Sequence, residues 1–138
     1  MRLFHSKKLK DEKGQAMVEF ALVLPVLLLV LCGILEFSWV MYGKLSLENA
    51  AREGARAGSV GENITEATTS AQNRIIAVIP GNLADGITQT ISFSAPSDPS
   101  SGDITVNLQT EMDSLTPIAG VFGFDSIPVE AECIMKMF

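Results

Sequence analysis

The chain has 138 residues, 47% of them hydrophobic, and a formal net charge of −6 at pH 7. That length accommodates one domain, and the apolar fraction is too high for an ordinary soluble one. The acidic balance repels phosphate backbones and so disfavours a nucleic-acid partner.

Residues 1–14 form a basic leader carrying Arg2, Lys7, Lys8, Lys10 and Lys13. The chain then reads Gly14-Gln15-Ala16-Met17-Val18-Glu19-Phe20, and no charge follows from Ala21 to Leu35. As a helix, Phe20 to Leu35 spans roughly 24 Å, and continuing to Tyr42 roughly 34 Å, against a hydrocarbon core of about 30 Å. This predicts one membrane span over about residues 20–42, with Trp39 and Tyr42 at the far interface. Basic residues are denser before the span than after it, where Lys44, Arg52 and Arg56 follow. The leader is therefore expected in the cytoplasm and the remainder outside. No small-x-small cleavage site follows the apolar run, and Leu31 occupies the place where a lipoprotein-type cut before Cys32 needs a small residue. The run is read as a retained anchor.

Glu19 stands at the edge of this span, where a carboxylate is costly and asks for a cation. A cut after Gly14 would supply one, because the new amino group of Gln15 lies four residues, about one helical turn, from Glu19. The rival reading leaves Glu19 reaching to the headgroups and inert. Pro25 removes the amide that would bond to the Ala21 carbonyl, so a kink or locally melted turn is expected within the membrane.

Beyond the span, Leu45, Leu47, Ala50, Ala51, Gly54, Ala55 and Gly58 continue an apolar or small stripe at helical spacing, with Glu48 and Arg52 as a favourable pair four apart. One helix from Gln15 to Gly58 is expected, within a segment 15–62. The ladder Ala50, Gly54, Gly58 permits close helix approach, either against this chain's own outer domain or against a neighbouring subunit. A second helix is expected from Ile64 to Ile79, capped by Asn63 with Glu66 three residues on, apolar along Ile64, Ala67, Ala71, Ile75, Val78 and Ile79, and stopped by Pro80-Gly81. The same cap accounts for Asn63-Ile64-Thr65 without glycosylation.

Three alternating segments follow: Ile87 to Ser94, Ile104 to Gln109, and Val129 to Met137. They predict an antiparallel sheet with one covered face. The stretch Ala95 to Gly102 reads as a hairpin loop, and Leu115 to Asp125 as an apolar surface loop. Residues 63–138 are few for an independent core, so the sheet is expected to lie on the outer half of the long helix. The expected class is α+β: a long N-terminal membrane-spanning helix continuing into a small extracytoplasmic domain with a second helix and a three-stranded antiparallel sheet.

Three sets of residues carry a family resemblance: the run Gly14 to Pro25 (GQAMVEFALVLP), the pair Glu36-Phe37, and the run Asn49 to Arg56 (NAAREGAR). Together they resemble the TadE-like family of pilin-related membrane proteins that serve tight-adherence (Flp-type) pilus systems. The resemblance supports a pilin-like plan. It implies a prepilin peptidase cutting between Gly14 and Gln15, and Glu19 neutralising a neighbouring subunit's amino terminus during assembly. It also implies that softness at Pro25 helps a subunit bend out of the bilayer; tolerance of proline in membrane helices explains that residue equally well.

Catalytic chemistry has little to stand on. The single histidine, His5, is in the leader, which leaves the outer domain without a Ser/His or Cys/His pair. No metal-spaced Cys/His set or phosphate loop is present, and Asp98 and Asp103 belong to a turn rather than to a calcium loop. Glu130 and Glu132 share a strand face, read as solvated. Cys32 falls in the lipid run and Cys133 in the outer domain, so no intrachain bridge is expected and both read as small apolar packing. From Ala57 onward the only bases are Arg74 and Lys136, among carboxylates that run from Glu62 to Glu132.

The expected function is a non-catalytic minor pilin or pseudopilin with no cofactor or metal and no small-molecule substrate. Its expected partners are membrane lipid, the prepilin peptidase, other pilins and the assembly machinery. The alternative is a permanently anchored single-pass protein whose acidic extracytoplasmic domain binds a partner.

Overall fold

The computed structural model describes residues 5–98 and 101–138, with side chains from residue 12 onward. Arg2, the side chains of His5, Lys7, Lys8 and Lys10 in the leader, and Pro99 and Ser100 in the loop lie outside the described residues. The elements in order are α1 (His5–Gly58), α2 (Ile64–Val78), α3 (Gly81–Ala84), β1 (Thr88–Phe93), β2 (Asp103–Asp113), α4 (Pro117–Val121) and β3 (Ser126–Lys136). This is the expected α+β arrangement of a long apolar helix, a second helix and a three-stranded antiparallel sheet in the order β1-β2-β3.

At 54 residues, α1 begins at His5 rather than at Gln15. The leader is rich in Lys and also holds Leu and Glu, all good helix formers, and a lone Gly14 costs only about 1 kcal/mol of helix propensity. The helix also remains continuous through Pro25.

A turn over residues 59–63 reverses the chain into α2, which runs antiparallel along the last turns of α1. Asn63 caps α2 as expected, its Oδ1 accepting the Glu66 amide at 2.9 Å. Glu66 reaches back to the Glu62 amide at 3.3 Å, one residue before the position of a standard capping box. Ala67, Ala71 and Ile75 are buried along the predicted face. Across the hairpin, Arg74 donates from Nη2 and Nε to Glu53 Oε2, at 2.7 and 3.0 Å.

The sheet closes over the outer half of α1. Inward positions of β2 carry Ile104, Val106, Leu108, Thr110 and Met112, all buried, while Asp103 to Asp113 pair along their whole length with Lys136 to Ser126 of β3. One core results, joining Leu47, Ala50, Ala51 and Ala55 of α1 to the α2 face, the inward β2 side chains, Val129, Ala131 and Met137. The C-terminus is stitched on by Phe138, whose amide donates to the Ser59 carbonyl at 3.0 Å.

Two short helices were not expected from the pattern. α3 follows Pro80, and α4 lies inside the stretch read as an apolar surface loop. The pairing around Glu48 also differs: Glu48 meets Lys44 at 3.7 Å, one turn earlier on the helix, instead of Arg52.

Candidate functional site

The domain covers only one end of α1. From Glu12 to Leu31 nearly every residue is exposed, whereas buried positions begin at Gly43 and recur to Gly58. The helix is long and apolar enough to cross a membrane, and none of its most apolar window is buried within the fold. Apolar side chains such as Met17 and Leu22 stay 75% and 72% exposed, so this shaft has to find lipid or other helices to cover it.

Gly14, Gln15 and Glu19 sit on that bare shaft. All three are exposed, and a Cβ placed on Gly14 would meet nothing within 4 Å. Gln15 and Glu19 are one turn apart and so share a face. The fold leaves both the bond after Gly14 and the Glu19 carboxylate open to an outside partner. Pro25 is exposed farther along the shaft.

The ladder Ala50, Gly54, Gly58 is at the opposite end and lies inside the chain's own fold. A Cβ on Gly54 would stand 2.5 Å from Ile75 Cγ1, and one on Gly58 2.4 Å from Ile104 Cδ1 and 3.1 Å from the Ala67 carbonyl oxygen. These glycines let α2 and the sheet approach α1 at backbone distance.

Between shaft and core is a junction whose contacts the sequence did not reveal, although Trp39 and Tyr42 were expected at the interface. The Glu36 carboxylate accepts from the Leu115 and Thr116 amides at 2.9 and 3.0 Å and from Thr116 Oγ1 at 3.1 Å. Thr116 precedes Pro117, the first residue of α4, so this carboxylate serves amides at the start of that helix. One turn farther out, Trp39 donates its indole N–H to the Asp113 carbonyl at 3.2 Å and stacks on Tyr42 with ring centroids 5.6 Å apart. Lys44 Nζ donates to the Glu130 carbonyl, tying β3 to α1. Met112 packs where a side chain on Gly43 would project. The one available signal was a glutamate near the end of an apolar run, paired with a Thr-Pro helix start far along the chain.

On the outer face of the sheet, Glu130 accepts from Asn107 Nδ2 at 2.6 Å and from Gln109 Nε2 at 3.1 Å. These two bonds, helped by the Lys44 charge, hold its carboxyl below the ordinary carboxylate value. Glu130 and Glu132 are both exposed, as a solvated face requires. Cys32 and Cys133 are free thiols, each half-buried. Among the described residues no group of three or more His, Cys, Asp or Glu is placed to hold a metal ion.

No curated protein and no solved structure matches the chain. The family comparison falls on the segment just described. Residues 14–56, which comprise the bare shaft, the junction and most of the buried end of α1, match the family model described as TadE-like protein, the family that the motifs of this segment resemble.

Proposed function

We propose that the chain is a minor pilin or pseudopilin-like subunit of a tight-adherence type pilus, non-catalytic and held by α1 in the inner membrane of a bacterium. The leader is cytoplasmic, the α+β domain is extracytoplasmic, and the pilus machinery passes the subunit into a filament. The observation that carries this reading is the bare apolar shaft of α1, which lies within the TadE-like segment and holds Glu19 one turn from Gln15.

A prepilin peptidase cuts after Gly14, and Gln15 becomes the amino terminus. A lone ammonium or carboxylate is unfavourable by about 2.5–3.5 kcal/mol at the centre of a membrane helix on insertion scales, and by less toward the end, where Glu19 stands. Pairing Glu19 of one subunit with the amino group of its neighbour removes much of that cost. Lateral contact between shafts therefore selects the register in which the charges meet. The small domain faces outward and leaves the shaft free to exchange lipid for neighbouring helices.

Glu19→Val tests the pairing. The variant is expected to insert in the membrane at the normal level, since the change makes the span more apolar, and to yield far fewer sheared filaments. Normal piliation by Glu19→Val would reject the pairing role.

A further inference from the structure

Leu115 to Phe124 carries no charged residue and is bracketed by Asp113 and Asp125. The neck of this segment is closed by the Ser114 amide, which donates to the Asp125 carbonyl at 3.1 Å. Beyond the neck the side chains point outward: Leu115 is 52% exposed, Val121 83%, Phe122 63% and Phe124 60%. Such a cluster on a small domain requires a cover.

The position along α1 identifies the cover. The segment leaves β2 at Asp113, level with Trp39, and reaches Leu115 and Thr116 at the level of Glu36. Its helix then lies beside Leu29, Cys32 and Gly33, across an apolar cleft of about 170 Å³ that Ile118, Ala119 and Phe122 close from the other side. The chain thus descends along α1 toward the apolar shaft, away from the rest of the domain. With Trp39 at the interface and a rise of 1.5 Å per residue, Glu36 is about 5 Å and Cys32 about 10 Å inside the boundary. That depth matches the roughly 5–10 Å to which interfacial apolar elements insert.

Much of the backbone suits this depth too. In a bilayer each amide needs a partner from the protein. The Leu115 and Thr116 amides are taken by Glu36, Ala119 donates to the Thr116 carbonyl, Phe122 and Phe124 to Ala119, and Gly123 to Gly120. Gly123, at φ 81°, makes the left-handed turn that brings Phe124 back toward the neck.

We propose that residues 115–124 form a wedge inserted in the bilayer leaflet on the domain's side of the membrane, with Val121, Phe122 and Phe124 among acyl chains. Glu36 is the internal acceptor that makes the descent possible. The wedge gives the domain a second hold on lipid and fixes its tilt against the surface. It depends on α1 spanning the membrane and not on entry into a filament.

Spin labels at single cysteines test this in the full chain, with Cys32→Ala and Cys133→Ala, reconstituted in phosphatidylcholine vesicles. Collision with oxygen, which concentrates in lipid, is compared with collision with a water-soluble nickel chelate present on both sides of the bilayer. Three labels are needed: Val121→Cys on the wedge, Leu27→Cys on the shaft and Val60→Cys on the outer end of the domain. The expected oxygen-to-nickel ratio at Val121 is several-fold above that at Val60 and on the side of Leu27. A Val121 ratio equal to that of Val60 would place the wedge in water and overturn the proposal. Low access to both reagents would assign the patch to a protein contact, such as a second copy of the chain, and overturn it equally. If Leu27 itself gave the Val60 ratio, the span would fall and the wedge with it. Since Val121 is mostly exposed, its replacement leaves folding intact.

Discussion

Glu36 and Glu19 are carboxylates on the same apolar helix with different surroundings. Glu36 has three donors within 3.1 Å from residues 115 and 116, whereas Glu19 stands exposed on the shaft. The first is satisfied by folding; the second is left exposed by it. Glu36→Ala leaves two amides and a hydroxyl without their acceptor, and a lost partner of this kind costs about 1–3 kcal/mol. Thermal unfolding in detergent is expected at a lower midpoint for Glu36→Ala, with Glu36→Gln in between because it keeps one acceptor oxygen. Coincident midpoints for Glu36→Ala and the parent would show that the junction contributes nothing.

Glu130 supplies a prediction in pH. Its folded value is depressed, so its contribution is fully present above the ordinary value of 4.5 and disappears as pH falls through the lowered folded value. Denaturant midpoints measured across pH should show the gap between the parent and Glu130→Gln constant near neutrality and closing below 4.5. A gap independent of pH would contradict the two side-chain hydrogen bonds from Asn107 and Gln109 as its source.

At the scale of elements, the contact between α1 and α2 tolerates little change. A methyl on Gly58 would meet Ile104 Cδ1 at 2.4 Å, the Ala67 carbonyl oxygen at 3.1 Å and Ala71 Cβ at 3.2 Å. The isoleucine tip can swing aside, but the α2 backbone cannot. Gly58→Ala is therefore expected to destabilise by about 1–3 kcal/mol, the range for overpacking, even though alanine is the better helix former. Asn63→Ala, which removes the α2 cap, should cost about 1 kcal/mol. Equilibrium unfolding of both variants checks the pair, and a stabilised Gly58→Ala would mean that the hairpin is looser than its geometry.

These elements also show what the residues alone could reveal. α2 was legible because cap, stripe and stop signal agree within one continuous stretch. The alternation of Ile104, Val106 and Leu108 gave the first half of β2, but Thr110 occupies an inward, buried position and breaks the pattern, which hid the strand's extension to Asp113. Pro128 similarly masked the start of β3, where an edge strand tolerates it opposite Glu111. α4 was hidden for a different reason. Its five residues include a proline and a glycine, and the Glu36 carboxylate that organises its start is 80 positions away. Of the candidate site, the shaft residues Gly14, Gln15 and Glu19 were readable because spacing along one helix determines their relation. The junction at Glu36, Trp39 and Lys44 was not, since it exists only once the chain has returned to α1.

For the whole molecule, the design separates two jobs along one helix of 54 residues. Its outer end, rich in Ala and Gly, is consumed in building the domain, and its inner part is left uncovered for lipid or neighbouring shafts. A permanently anchored binding protein would use the same shaft only for lipid. Shearing cells and blotting both fractions separates the two: release with filaments is expected here, and retention wholly in membranes would favour the fixed anchor.

The most direct test concerns the new amino terminus. Intact-mass measurement of the protein recovered from native, piliated cells is expected to give a chain that begins at Gln15, lacking residues 1–14. A chain that still carries Met1 to Gly14 in cells building normal pili would contradict the account, because Glu19 would then have no freshly made amine to meet.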